Sequence, residues 1–557
     1  MTRAFARWTL LVGVLAAAAC GSDDPSPPGT VDCSSVAPTS LSAGQFVILD
    51  ASEDACVRIP GAASQEAEYL YVALSGDGTV SQNGTAAAYQ LQGGPSPSAA
   101  VARLGQASLD KAPSAAVAFH DGLRERERIL SQQPAVVSAS RARISASSVA
   151  AVPPVVGSVR TFDVCATTTC DSFVQSTATA KVVGQRVAIY LDDDAPAGFT
   201  QSDLNEVGAL FDAHLYAIDT IAFGGEPDLD NNGVVIVLLS QHVNDLSADC
   251  NSTGSIILGF FFGLDLLPTE DHSNDGEIFY GAVPRQDMPN CSAYTKNVVT
   301  RSLPGVFIHE FQHMISFNQH VLVRGGNVEE TWLNEGLSHY AEELGGREVP
   351  DQFCPAFSQC EDQFLGDDIS NAYSYLDDPE SNFLVSPSSS GGSLTERGAG
   401  WLFVRWLGDH FAASQPLAPE LTRALLLTDR TGAANVEAVT GEDFPTLVSQ
   451  WQMANYVTNL PGFTPSSDRL RYTSFDLRAL YAANSPSVFA KPYPLTPDST
   501  RTGTYDRTGV LRGGSGRHVR IIQTAGSGEV AFSLTDGAGS IPLASTVVPR
   551  IALVRVR

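Results

Sequence analysis

The sequence predicts a multidomain α+β protein in which a mixed-sheet body leads into a mostly helical subdomain, flanked by small all-β modules. Three observations carry this reading. At 557 residues the chain has room for roughly two to four domains. Its composition, 43% hydrophobic and 17% charged with 48 Gly and 32 Pro, describes a folded, loop-rich protein and excludes a disordered acidic one. Short alternating apolar runs dominate the two ends, whereas helical spacing dominates the stretch after Leu303.

Residues 1–20 read as an address. Two arginines precede an apolar run from Trp8 to Ala19, which is too short to span a bilayer comfortably, and small residues lead to Cys20. The segment is similar to a bacterial lipoprotein signal, in which Cys20 is the lipidated residue; the alternative is an ordinary cleaved signal with an incidental cysteine. Residues 21–32, rich in Pro, Ser and Asp, suit a flexible tether. The expected location is therefore extracytoplasmic, either membrane-anchored at the outer membrane or cell surface, or secreted.

Taking Cys20 from the 9 cysteines leaves an even set, as expected in an oxidising compartment. The economical pairs are Cys33 with Cys56, Cys165 with Cys170, Cys250 with Cys291, and Cys354 with Cys360. The formal charge of −27 lacks the basic footprint of a nucleic-acid binder.

Residues 33–105 alternate apolar runs with Gly, Ser and Asn turns and read as an N-terminal β domain. Residues 106–156 read as a helix (AVAFHDGLRERERIL) followed by a Ser, Ala, Arg and Pro linker. Residues 157–460 hold strands, among them VVIVLLS from Val234, a helix over 202–221, and later helices at 400–411 and 444–457. Residues 461–557 read as a linker and a C-terminal β domain.

The chemistry-bearing segment is 303–344. It contains His309-Glu310-Phe311-Gln312-His313, a HExxH pattern that a random chain of this composition would carry about 0.007 times. Residues four apart share a helix face, so His309 and His313 can converge on one ion, while Glu310 is placed to move a proton. Pro304 and Gly305 are expected in the first turn of that helix. A HExxHxxGxxH arrangement is absent, since Ser316 and Gln319 stand where Gly and His are needed and His320 misses by one. A third ligand is instead available as Glu335 in the helical pattern TWLNEGLSHYAEEL, completing the two-His, one-carboxylate set of catalytic zinc sites. Glu329 and Glu330 are weaker alternatives for that place.

HEFQHMI followed by WLNEGLSHYAEE resembles the gluzincin zinc metallopeptidases, the group containing thermolysin, and within it the hyicolysin-like neutral metalloproteases. The resemblance implies a gluzincin-like catalytic domain over 157–460, one zinc ion held by His309, His313 and Glu335, Glu310 as general base, and protein or peptide substrates. Thermolysin has an Asp four residues after its ligand glutamate; here that position is His339.

Other candidates surround this core. His339 could orient a ligand or donate to an oxyanion, and Tyr373 or Tyr375 could supply a phenol there. His320 reads as a surface residue, and Glu342 and Glu343 as a solvated face. Asp228, Asp230 and Asn232, with Gly233 sixth in the run, match the start of a calcium loop without its twelfth-position glutamate; the same residues also make an Asn-Gly turn. The strand GEIFYG is read either as a substrate-binding edge or as a core strand.

The expected function is thus a zinc endopeptidase, probing peptide substrates and reaching a membrane through Cys20. The alternatives are a zinc exopeptidase or specialised envelope hydrolase, and a non-enzymatic surface-binding lipoprotein with a vestigial metal site.

Overall fold

The computed structural model describes residues 31–95, 114–146, 152–501 and 503–557. The address segment with Cys20 and most of the tether lie outside the described residues. Four strands come first, β1 (Phe46–Asp50), β2 (Cys56–Ile59), β3 (Ala67–Ser75) and β4 (Ala86–Gly94), then two helices, α1 (Ala115–Ser131) and α2 (Pro134–Ala146). A second group follows: β5 (Val159–Cys165), β6 (Phe173–Val183), β7 (Val187–Asp192), α3 (Gln201–Leu210), β8 (Val235–Leu239), β9 (Gly259–Phe261) and β10 (Ile278–Gly281). The longer helices after it are α4 (Lys296–Phe317), α5 (Thr331–Glu348), α6 (Gly366–Asp377), α7 (Leu394–Phe411) and α8 (Phe444–Val457). Five strands close the order: β11 (Asp498–Thr500), β12 (Tyr505–Arg512), β13 (Gly516–Gln523), β14 (Val530–Asp536) and β15 (Pro549–Arg555).

The architecture is α+β with three sheets, and one expectation is corrected by their strand order. The two flanking β modules are a single sandwich, with sheets ordered β1-β15-β3-β13-β11 and β12-β4-β14-β2. Strands from both ends alternate in each sheet, and β3 lies between β15 and β13, pairing Tyr71 with Leu553 on one side and with Val519 on the other. Burial explains the merger. Every residue of β3 is buried, so both faces need cover and both edges need partners. Tyr69, Tyr71 and Ala73 face the sandwich interior with Leu91, Phe532 and Leu553. Leu70, Val72 and Leu74, one residue out of phase, join the main core with α8 residues such as Trp451. Local alternation signals each strand but not which distant strand it pairs with.

The stretch 461–497, expected as a linker, also packs into the main core through Leu470, Tyr472, Leu477 and Tyr481. The Ser, Ala and Arg-rich segment expected to be linker after α1 is largely helix α2, with Pro134 at its first position, where the missing N–H costs nothing.

The third sheet runs β5-β6-β7-β8-β10-β9. Its centre is parallel, β8 pairing with both β7 and β10, and VIVLL of β8 is buried throughout as such a strand requires. β9 is the edge, antiparallel to β10. GEIFYG therefore belongs to an inner strand, and the edge is GFF one strand further out.

α4 begins at Lys296, with the Thr295 side chain accepting the N–H of Val298 at 3.2 Å. Pro304 is consequently inside the helix and not in its first turn. A π-helical turn, 318–323, continues it and buries His320, which had read as a surface residue. The four disulfides are Cys33–Cys56, Cys165–Cys170, Cys250–Cys291 and Cys354–Cys360. Among the described residues no helix is long and apolar enough to cross a membrane.

Candidate metal centre

α4 and α5 pack side by side and bring three side chains to one point. His309 and His313, one turn apart on α4, place their Nε2 atoms 3.2 Å from each other. Glu335 on α5 sets Oε2 3.6 Å from the His309 nitrogen and Oε1 3.6 Å from the His313 nitrogen. The three ligating atoms lie within 4.8 Å of one another, and all three residues are buried.

The histidines are oriented from behind. His309 donates from Nδ1 to Glu342 Oε1 at 2.7 Å. Ser338 donates to Gln312 Oε1 at 2.5 Å, so its oxygen is left to accept from His313 Nδ1 at 3.1 Å. With each ring neutral and its proton on Nδ1, both Nε2 atoms would offer a lone pair to the common point, the tautomer a metal site needs. Of Glu342 and Glu343, read as a solvated face, the second is buried and the first half-buried against the centre. Glu342 serves His309, and Glu343 accepts from Arg405 at 3.0 Å and from Trp401 at 2.9 Å.

His339 lies beside His309 with ring centroids 4.9 Å apart. Its Nδ1 is 3.0 Å from Glu342 and 2.7 Å from Asp368 of α6. It thus occupies the position of the expected aspartate, but acts one residue removed from the ligands, through Glu342. Tyr373 and Tyr375 are elsewhere. The Tyr373 hydroxyl accepts the N–H of Lys491 at 2.8 Å, and that of Tyr375 accepts from Gln452 at 2.9 Å. Their helix turns both away from the centre, so neither is placed to donate to an oxyanion there.

Glu310 is 3% exposed and accepts the N–H of Phe261 from edge strand β9 at 2.8 Å. Burial raises its carboxyl above the ordinary value, which suits a group that must accept a proton and return it. Burial also opposes ionisation of Glu335, but Arg397 and His313 outweigh it and hold that carboxyl well below its usual range. Arg397 of α7 stands 2.8 Å from Glu335 Oε2. Against the same burial, hydrogen bonds to Glu335 and Glu342 lift His309 to about 9, while burial drives His313 well below its usual value.

These residues fit a divalent cation. Two imidazole nitrogens confront each other across 3.2 Å, and the Glu335 carboxylate, 1% exposed and held ionised by Arg397, faces both. Two nitrogens and one carboxylate oxygen, held by two rigid helices, are the donor set that suits zinc with a position left open.

Glu329 and Glu330 are not at this point. Glu329 accepts from Gly432 N at 2.6 Å and Asn435 Nδ2 at 2.7 Å, and Glu330 from the Trp332 indole at 2.8 Å. The second candidate site changes composition. Asp228 and Asp230 are joined by Glu277, the residue before β10. The Asn232 side chain folds into its own turn, accepting from Val234 N at 2.7 Å and donating to Asp230 at 2.8 Å. Glu277 accepts the N–H of Leu229 at 2.7 Å, and burial holds its carboxyl well above the usual value. Asp228, Asp230 and Glu277 bring one carboxylate oxygen each within 4.8 Å of one another beside this hydrogen-bonded turn.

Glu342, Asp368, Arg397 and Ser338 were not singled out from the sequence as functional. Glu342 could have been, since it lies seven residues after Glu335 and so two helical turns along the same face. Arg397, on a helix some 60 residues away, carries no such signal.

No family model matches the sequence. A stretch of 171 residues is 26% identical to the neutral metalloprotease ShpI of Staphylococcus hyicus, covering 30% of this chain. The match spans 36% of that protein, so the chain covers about a third of the length of the curated relative.

Proposed function

We propose that the chain is a zinc-dependent endopeptidase of the gluzincin type, acting on protein or peptide substrates outside the cytoplasm and anchored to a membrane through Cys20. The observation that carries this is the convergence of His309, His313 and Glu335 beside the buried carboxyl of Glu310. The partial likeness to a neutral metalloprotease supports the same reading.

In this reading His309, His313 and Glu335 hold the ion, and Glu342 and Ser338 fix the two imidazoles. Bound zinc would supply Lewis-acid polarisation of a carbonyl and a lowered pKa for water. Glu310 receives the proton released as water attacks the scissile carbonyl and delivers it to the departing amine. Its hydrogen bond from Phe261 N–H keeps Oε2 against β9 and leaves Oε1 for that exchange.

The test is metal analysis coupled to casein cleavage. Glu310→Gln should keep near-stoichiometric zinc and lose cleavage, whereas His309→Ala and Glu335→Ala should lose the metal. A Glu310→Gln protein that cleaves at the wild-type rate removes Glu310 from the chemistry. Products confined to single residues trimmed from an end would replace the endopeptidase reading by the exopeptidase one.

A further inference from the structure

The four residues of the centre are exposed to 7% or less, and the cavity that reaches His309 and Glu310 is walled on its far side by the first turns of α1. What covers them on the β9 side is α1. Phe119 of α1 packs edge-on against Phe260 of β9, with centroids 5.1 Å apart. Asp121 lies 3.5 Å from Arg397, the partner of Glu335.

The contact with β9 is specific. Tyr280 pairs with Phe260, so the peptide groups of Phe261 point away from the sheet, toward the side where an added strand would sit. Both groups are occupied. The Phe261 N–H goes to Glu310, and its carbonyl accepts from Arg124 of α1 at 2.6 Å. Two residues on, the Gly263 N–H donates to Glu127 of α1 at 2.7 Å. Arg124 and Glu127, 3.1 Å apart and both buried, thus take hydrogen bonds that an extended peptide would make.

The groove also continues beyond both ends of the helix. A cavity of about 610 Å³ opens between the first turns of α1 and the wall holding His309 and Glu310. Another of about 330 Å³ lies along Arg124, Arg128 and Trp332 at the other end.

Topology limits which part of the chain could leave. β3 and β4 are each flanked by strands from the far end, so residues 46–94 cannot depart without dismantling the sandwich. α1 and α2 contribute no strand, and they lie between β4 and β5. The covering face of α1 carries the buried pair Arg124 and Glu127, and buried ion pairs are weak stabilisers.

We infer that α1 is an autoinhibitory plug: it occupies the outer side of edge strand β9 in the substrate groove of the proposed peptidase, takes that strand's hydrogen bonds through Arg124 and Glu127, and must be displaced for a polypeptide to lie along it, while the β strands before it stay. The inference rests on the peptidase reading.

The test uses the full zinc-loaded chain as wild type, as Arg124→Ala/Glu127→Ala, and as Phe119→Ala, the second variant weakening the same contact without touching the ion pair. Each is also made with Glu310→Gln. Casein cleavage is measured together with amide exchange over 259–263. Both opened variants should cleave at least ten-fold faster than wild type and exchange the Gly263 amide at least ten-fold faster. With Glu310→Gln the faster exchange should persist and the cleavage vanish. A wild type that cleaves as fast as the opened variants overturns the plug and leaves the peptidase reading standing. Absence of cleavage from every form, with β9 exchanging freely in the variants, overturns the peptidase reading and the inhibition with it.

Discussion

Glu342 Oε1 sits 2.7 Å from Nδ1 of His309, on the side of the ring opposite the candidate metal position. The contact fixes the ring's tautomer and its rotation, and His339 and Asp368 hold the carboxylate in turn. It gives α5 two tasks, since the same helix supplies Glu335 and, two turns later, the group that aims the ligand from α4.

Glu342→Ala should therefore weaken zinc binding by about 10–100-fold, the usual effect of losing a carboxylate behind a ligating histidine. A competition titration with a zinc chelator measures this. Unchanged affinity would show that Glu342 merely balances the charge of His339, which Asp368 and Glu342 hold protonated well above its ordinary range against the effect of burial.

Gly398→Ala should cost about 1–3 kcal/mol, the price of forcing a methyl into a packed contact. A Cβ on Gly398 would come within 2.5 Å of the Ala372 nitrogen, so α7 and α6 touch there backbone to backbone. Urea unfolding reads the loss. The neighbouring residue is Arg397, so a shift of α7 should also loosen its pairing with Glu335.

Arg405→Met should destabilise by about 3 kcal/mol, the lower end for breaking a buried pair, because Arg347 remains 2.8 Å from the Glu343 carboxylate. Arg405 and Glu343 are 0% exposed and 3.0 Å apart. Adding Glu343→Met should recover part of the loss; Asp409, 3.1 Å from Arg405, is left unpaired in both variants and limits the recovery. A double-mutant cycle in denaturant checks this.

Stability should fall on acidification in a window set partly by His518. Burial lowers this imidazole from 6.5 to about 4, despite its hydrogen bond to the Gln452 carbonyl at 2.8 Å. The folded chain refuses a proton that the unfolded chain accepts, so the contribution is complete above pH 6.5 and lost as the pH drops toward 4. Linkage puts the loss near 3 kcal/mol. His518→Asn should flatten the stability profile across that window, and an unchanged slope would assign it to other groups.

Much of the centre was legible because it is local. His309 and His313 are one turn apart, and Glu335 lies in a second apolar-periodic helix, so helical geometry alone nominates them. Glu342 and Glu343 were misread because charges facing a buried ionic site have the same spacing as charges facing water, and only the packing of α4 and α7 against α5 separates the two cases. Tyr373 and Tyr375 share a helix with Asp368, and rotation about that helix decides that the aspartate, not a phenol, looks toward the centre. The merged sandwich was illegible for a different reason: a strand's alternation reports its two faces but not the identity of its neighbours.

The position of β3 between β13 and β15 also orders events in time. Its partners are synthesised about 450 residues later, so while the chain is being made β3 is an apolar strand with two open edges. The body with the candidate metal site is, in effect, an insertion within the sandwich, free to assemble around its own core before the sandwich closes. Stop codons or frameshifts anywhere in 516–555 would then spare every residue of the centre and still leave β3 as a sticky template for aggregation.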